Sequence, residues 1–111
     1  GKSIDLSRPI HGKFSKNDME DISWYRILQD GGKEKIAHCS PSRVLCTLIN
    51  CTRSCPEYLT RLKTDGLSVI LTKVTPNDRG LRFQCELHPR IQRASRVYII
   101  RVRDVALPRP G

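Results

Sequence analysis

The sequence has few aromatic side chains and no long apolar run. Phe, Trp and Tyr make up 5% of the 111 residues, too few to fill a core and also stack on nucleic-acid bases. No apolar run approaches the roughly 20 residues that a membrane-spanning helix needs, so we expect a soluble domain. The length suits a single domain and argues against a two-domain enzyme with an interdomain cleft. Because the chain begins Gly1-Lys2-Ser3 without a signal peptide, we expect a mature or trimmed form.

The motifs of common catalytic, metal and phosphate sites are also missing. The sequence contains no G-x-S-x-G, no H-E-x-x-H and no Gly-rich phosphate loop. It contains no C-x2-C pair, although His38 next to Cys39 leaves zinc as an alternative interpretation of the cysteines. We therefore expect no enzymatic activity, no cofactor and no metal.

Cysteine, in contrast, is abundant. The cysteines are Cys39, Cys46, Cys51, Cys55 and Cys85. A small domain with this density of cysteine is typically cross-linked by disulfides in an oxidising compartment. The spacing leaves the pairing open. Because the first four lie close together in sequence, we predict at least one disulfide wholly within Cys39–Cys55. The odd number leaves one thiol over, either buried or paired outside this chain.

A second feature favours an extracellular address. Asn50-Cys51-Thr52 is an N-glycosylation sequon, with Asn50 as the acceptor. A sequon has meaning only in a secreted chain, and it agrees with the cysteine content. We expect a secreted protein or a cell-surface ectodomain.

Alternation of apolar and polar residues predicts short β-strands. Period-two alternation with one apolar face is typical of a sheet that packs on one side. Asp30-Gly31-Gly32-Lys33 lies between two strand-like runs and predicts a hairpin turn. We expect an all-β fold, an antiparallel sandwich of two sheets. The predicted strands are 3–10, 21–28, 34–38, 67–74 and 81–87, with a further edge strand within 44–49 and a last strand that includes Tyr98, Ile100 and Val102.

Several stretches resemble the variable-type domain of the immunoglobulin superfamily. Ser23-Trp24-Tyr25-Arg26 is similar to its strand C, and residues 67–80 are similar to strand E and the E–F turn. Leu81-Arg82-Phe83-Gln84-Cys85 resembles strand F, and residues 97–105 resemble strand G. The resemblance implies an immunoglobulin-like sandwich.

The resemblance also implies roles for individual residues. It places Trp24, Leu71 and Phe83 in the core, and it implies that Arg61 at the start of strand D pairs with Asp78. Residues 1–105 would form the domain, with a cysteine-rich insert at about 38–57 and a tail at 106–111.

The sequence departs from this family in strand B. Arg8 stands where the strand B cysteine belongs, so Cys85 cannot form the usual bridge across the sandwich. We expect strand B to twist or bulge so that the Arg8 guanidinium reaches an edge. Phe83 also lacks the hydroxyl group of the family's corner tyrosine.

The sequence is basic, and one predicted turn contains several arginines. Lys and Arg number 20 against 11 Asp and Glu, a net charge of +9. The F–G turn holds Arg90, Ile91, Arg93 and Arg96, a mixture suited to an acidic protein surface with an apolar dimple. We therefore predict a recognition module that binds a partner protein here, with the cysteine-rich insert as the alternative contact.

Other partners follow from the same basic surface. Sulfated or sialylated glycans are further ligands for the arginines, whereas nucleic acid is not expected. A homodimer through the C-C′-F-G face is another assembly open to this fold. The alternative function is a small secreted basic protein that binds glycosaminoglycan or another anionic surface by charge.

Overall fold

The computed structural model describes residues 2–52, 54–91 and 93–106. The described chain forms two antiparallel sheets, of three and five strands, in the orders β1-β6-β5 and β4-β3-β2-β7-β8. The prediction of an all-β, two-sheet antiparallel sandwich is confirmed. The strands are β1 (Lys2–Asp5), β2 (Met19–Ile27), β3 (Lys33–Ser40), β4 (Leu45–Leu48), β5 (Leu62–Asp65), β6 (Ser68–Val74), β7 (Arg82–Pro89) and β8 (Arg96–Arg101).

Short helical turns lie between and after these strands. Within the described residues, three are 3-10 helices, at Arg8–Ile10, Glu57–Arg61 and Pro76–Gly80, and one is the α-helix α1 at Val102–Ala106. The predicted tail at 106–111 lies, except for Ala106, outside the described residues.

The core fills the space between the two sheets. Trp24, Leu71 and Phe83, the residues predicted for it, are fully buried. Alternation explains the selection, because every second side chain of β2, β6 and β7 points inward. Full burial of one such side chain contributes about 1.5–3 kcal/mol to folding. The core therefore carries most of the favourable free energy of this small domain.

The first predicted strand is too long. We expected a strand over 3–10, but β1 ends at Asp5 and Arg8 begins a 3-10 helix. The Ser7 backbone N–H donates to Asp5 Oδ1 at 2.8 Å, which turns the chain. Pro9 then fixes a helical φ and has no N–H for a sheet ladder. Arg8 is exposed at this turn, not on a twisted strand.

The last predicted strand is also too long. We expected it to run over 97–105, but β8 ends at Arg101 and residues 102–106 form α1. The Val102 N–H donates to the Leu81 carbonyl oxygen at 3.1 Å. This bond continues the β7–β8 register by one pair beyond Arg82–Arg101, and Val102 is fully buried although it begins the helix. Val102 fits the apolar pattern whether the chain continues as a strand or begins a helix, so alternation alone could not locate the end of the strand.

Both disulfides lie within the cysteine-rich segment. Cys39 on β3 faces Cys46 on β4, and these paired residues are bonded. Cys51 and Cys55 close a second, smaller loop. The prediction of a disulfide wholly within Cys39–Cys55 is confirmed, and β4 is the expected edge strand. Cys85 is a buried free thiol, and burial raises its pKa to about 12.

A buried ion pair joins the β5 end of the three-stranded sheet to the turn before β7. Arg61 donates from both guanidinium NH2 groups to the two Asp78 carboxylate oxygens, at 2.9 and 2.8 Å. Asp78 also accepts from the Thr75 N–H at 2.9 Å. The Arg61 hydrogen bonds, assisted by the Thr75 N–H, hold the Asp78 pKa below its usual value. The pair expected from the resemblance is therefore present.

Replacing Asp78 with Asn should destabilise the fold by about 3 kcal/mol, because it leaves the buried Arg61 charge without its carboxylate. Urea unfolding would measure this loss. The matched control is Glu57→Gln, since Glu57 also contacts Arg61 but its side chain is 73% exposed. This control should change stability by less than about 1 kcal/mol. Equal effects of the two substitutions would contradict the assignment.

The same pair makes stability depend on pH in a defined direction. Because the folded-state pKa of Asp78 is lowered, the ionised carboxylate stabilises the fold above its ordinary pKa. That contribution is lost as pH falls through the lowered value. We expect the difference in unfolding free energy between wild type and Asp78→Asn to shrink as pH falls below about 4. A difference that stays constant down to pH 2 would argue against this linkage.

Cys85 should be unreactive until the domain unfolds. A thiol reagent added to the native, non-reduced protein should label no cysteine, because Cys85 is buried and its pKa is about 12. Unfolding without reductant should expose one thiol per chain, and unfolding with reductant should expose all five cysteines. Mass spectrometry after alkylation would count them. Labelling of Cys85 in the native protein would contradict its placement.

Candidate functional site at the loop end

Three connections gather at one end of the sandwich. Met19 at the start of β2 pairs with Pro89 at the end of β7, and Ser40 at the end of β3 pairs with Leu45 on β4. Residues 11–18, 41–44 and 90–95 are therefore presented together by rigid strands. We call this region the loop end. Residue 92 is not among its described members.

A hollow of about 420 Å³ lies between the first and third connections. It is lined by Lys13, Phe14, Ser15, Asp18, Met19, Pro89, Ile91, Arg93, Ala94 and Arg96. Its wall thus combines the segment before β2 with the β7–β8 turn. A concave surface with mixed apolar and charged lining is the usual form of a binding site.

Hydrogen bonds fasten the two walls to each other. The Arg90 N–H donates to the Asp18 carbonyl oxygen at 2.9 Å, and Arg90 Nε donates to the Met19 carbonyl oxygen at 3.4 Å. On the far side of the turn, His88 Nδ1 and Ser95 Oγ lie 2.8 Å apart. The Arg90 bonds hold the start of the β7–β8 turn to the segment before β2, and the His88–Ser95 contact joins the two arms of the turn. Little ordering entropy then remains to be lost when a ligand binds.

The hollow is electropositive with an apolar edge. Lys13, Arg93 and Arg96 contribute cations, and Asp18 is the one acidic lining residue. Ile91 is 66% exposed, the largest exposed fraction of any large apolar side chain among the described residues. An arginine guanidinium binds a carboxylate or similar anion through two parallel hydrogen bonds. This geometry suits an anionic group that lies beside an apolar one.

The predicted binding residues are only partly brought together. Ile91, Arg93 and Arg96 line the hollow, whereas Arg90 directs its Nε to Met19 and holds the segment before β2. Sequence reasoning missed the other wall, including Lys13 and Phe14. The only signal for this wall in the sequence is an aromatic residue, Phe14, between two lysines in a polar stretch. Hydrophobic periodicity gives no information about loops.

Asn50, the candidate glycosylation residue, lies away from this site. It follows β4 and is exposed. It lines a separate hollow of about 300 Å³ together with Arg26 and Glu34. Arg26 is 3% exposed and donates from Nε to Glu34 Oε2 at 3.1 Å. This ion pair joins the buried Arg26 on β2 to the exposed Glu34 on β3.

The outer face of the five-stranded sheet differs from the loop end in its electrostatics. Lys33 Nζ donates to Glu86 Oε1 at 2.7 Å and lies 4.5 Å from the centre of the Tyr25 ring. The hydrogen bond from Lys33 holds the pKa of Glu86 below its usual value. His38 Nε2 lies 2.8 Å from Asp21 Oδ1. These polar groups are paired within the face, whereas Lys13, Arg93 and Arg96 at the loop end are exposed.

Comparison of the chain with protein-family models and with curated proteins gives no match. Within the described part of the chain, no three His, Cys, Asp or Glu side chains are grouped to hold a metal ion. No helix in the same residues has both the length and the apolar character needed to cross a membrane. The geometry of the loop end is therefore the guide to the function of this domain.

Proposed function

We propose that this domain is an extracellular recognition module that binds an acidic site on a partner protein through its loop end. The observation that carries the proposal is the loop-end hollow, where Lys13, Arg93 and Arg96 surround an exposed Ile91. Its walls are joined by the Arg90 hydrogen bonds, and the three cations are exposed.

The strand order supports a variable-type immunoglobulin-like fold. If β1 to β8 are lettered B, C, C′, C″, D, E, F and G, the observed sheets read B-E-D and C″-C′-C-F-G. Variable-type domains add C′ and C″ to the sheet that contains C, F and G. The buried Trp24 and the Arg61–Asp78 pair agree with this lettering. The loop end then holds the B–C, C′–C″ and F–G connections, which are the recognition loops of that fold class.

The disulfides support the extracellular address. Two of them are formed within a short segment of a small domain. Such bonds persist in oxidising compartments and are rare in the cytosol.

The mixed chemistry of the site favours a protein partner over a polyanion. A contact made by charge alone needs only a basic surface, whereas this site adds Ile91 and Phe14 to its cations. Arginine beside an exposed apolar residue is typical of interface hot spots. The arginines supply selectivity for carboxylates, and the apolar pair supplies surface that gains free energy on burial.

The double substitution Arg93→Glu and Arg96→Glu should abolish partner binding. Both residues are exposed, so stability should change by less than about 1 kcal/mol. Two hot-spot residues are worth about 2 kcal/mol each, so affinity should fall at least about 100-fold. Binding would be detected with an oligomerised form of the domain on displayed ectodomains. The variants would then be compared on the partner found.

The matched control is the pair Arg79→Glu and Arg82→Glu. It changes the net charge by the same amount, but Arg82 begins β7 at the end away from the loop end. We expect this control to bind within about twofold of wild type. Added salt should weaken the binding of both proteins only mildly. If both double variants lose binding equally and salt abolishes it steeply, the glycosaminoglycan-binding function replaces the proposed one.

A further inference from the structure

We propose that Asn50 carries an N-linked glycan that covers the free edge of β4. This inference rests on the extracellular address in the proposed function, but it concerns a different surface. Asn50 and Thr52, the acceptor and the hydroxyl residue of the sequon, are both exposed. They follow β4 in a stretch without regular structure, outside the hydrogen-bonded ladder.

The modification is a group transfer from a lipid-pyrophosphate-linked oligosaccharide. The Asn50 amide nitrogen forms a bond to the anomeric carbon of the first sugar and loses one proton. The bond between that carbon and the pyrophosphate oxygen breaks, and the lipid pyrophosphate leaves with the electron pair. No group is oxidised or reduced. The product is a bulky, hydrophilic chain on the protein surface.

The edge next to Asn50 is unusually apolar for an exposed strand. Leu45, Leu48 and Ile49 form what we call the β4 edge strip, and they are 51%, 36% and 43% exposed. β4 is the outermost strand of its sheet, and in the described structure no strand hydrogen-bonds to its outer side, although β5 of the other sheet lies close to it. An apolar edge of this kind can pair with a strand from another molecule. It therefore needs a protective feature.

The two edges of the same sheet are protected differently. The opposite edge strand, β8, begins and ends with arginine, Arg96 and Arg101. Charged side chains on an edge strand oppose pairing with another molecule. From Val44 to Thr52 the sequence contains neither a charged residue nor a proline. The sequon lies at the edge that lacks charged residues and proline, and its glycan would protect that edge from pairing with another molecule.

The position of Asn50 also keeps the glycan away from the loop end. The Ile49 N–H donates to the Ile36 carbonyl oxygen at 2.8 Å, and the neighbouring Lys35 pairs with Tyr25 on β2. Tyr25 lies about six residues along β2 from Met19 at the loop end, a separation of roughly 20 Å. The glycan therefore shields the edge without closing the recognition surface.

The first test asks whether the sequon is used. Wild type, Thr52→Ser, Thr52→Ala and Asn50→Gln would be secreted from a eukaryotic cell line and examined by intact mass and endoglycosidase digestion. We expect one glycan in wild type and Thr52→Ser, and none in the other two variants. A secreted, disulfide-bonded wild type with an unmodified Asn50 would overturn this inference and leave the proposed function intact. Failure to be secreted with oxidised cysteines would overturn both.

The second test asks what the glycan covers. Wild type would be made with high-mannose glycans, folded, and trimmed to a single sugar by an endoglycosidase. This treatment avoids any folding defect of the variants. We expect trimming to strengthen self-association by about tenfold or more in sedimentation velocity, because it frees the β4 edge strip. Leu48→Lys should restore the monomer, whereas Lys2→Glu, a charge change on β1 of the other sheet, should not.

A trimmed protein as monomeric as the intact one would overturn the shielding role. Partner binding through the loop end provides the final check. It should remain within about twofold after trimming, because the glycan lies roughly 20 Å along the sheet from that surface. A large change in partner affinity would overturn the placement of the glycan.

Discussion

Burial of apolar side chains between the two sheets holds this domain together. The described disulfides do not join one sheet to the other, because both close loops within Cys39–Cys55. Trp24, Leu71 and Phe83 are fully buried where the sheets face each other. A domain of this size buries only a moderate fraction of its surface, so its stability is the small difference of large terms. The bidentate Arg61–Asp78 pair adds a directional contact to this core and fixes the turn before β7.

The strands with clear alternation could be predicted from the sequence, and the ends of the chain could not. β2, β6 and β7 each place alternate side chains in the core, so their pattern reports their structure directly. β1 stops early because Asp5 accepts a hydrogen bond from the Ser7 backbone. β8 gives way to a helix after Arg101, although Val102 keeps both its register with Leu81 and its place in the core. Neither ending interrupts the apolar pattern at its buried residues, so periodicity does not reveal it.

The candidate site was only half visible in the sequence for a similar reason. Arg93 and Arg96 stand out as charges in a turn between two predicted strands. Lys13 and Phe14 lie in a segment without periodicity, and only the β2–β7 register brings them beside that turn. The disulfide pairing was open as well, because spacing does not specify register. Cys39 and Cys46 are bonded because the β3–β4 hairpin places them directly opposite each other.

The location of the disulfides has a consequence for what reduction would change in this domain. Cys39 and Cys46 are buried members of the core, and the β3–β4 ladder places them directly opposite each other. Neither disulfide joins one sheet to the other, and Cys85 between the sheets is a thiol. Reduction would therefore remove covalent links only from the β4 side of the domain, and it would break none of the contacts through which the two sheets pack.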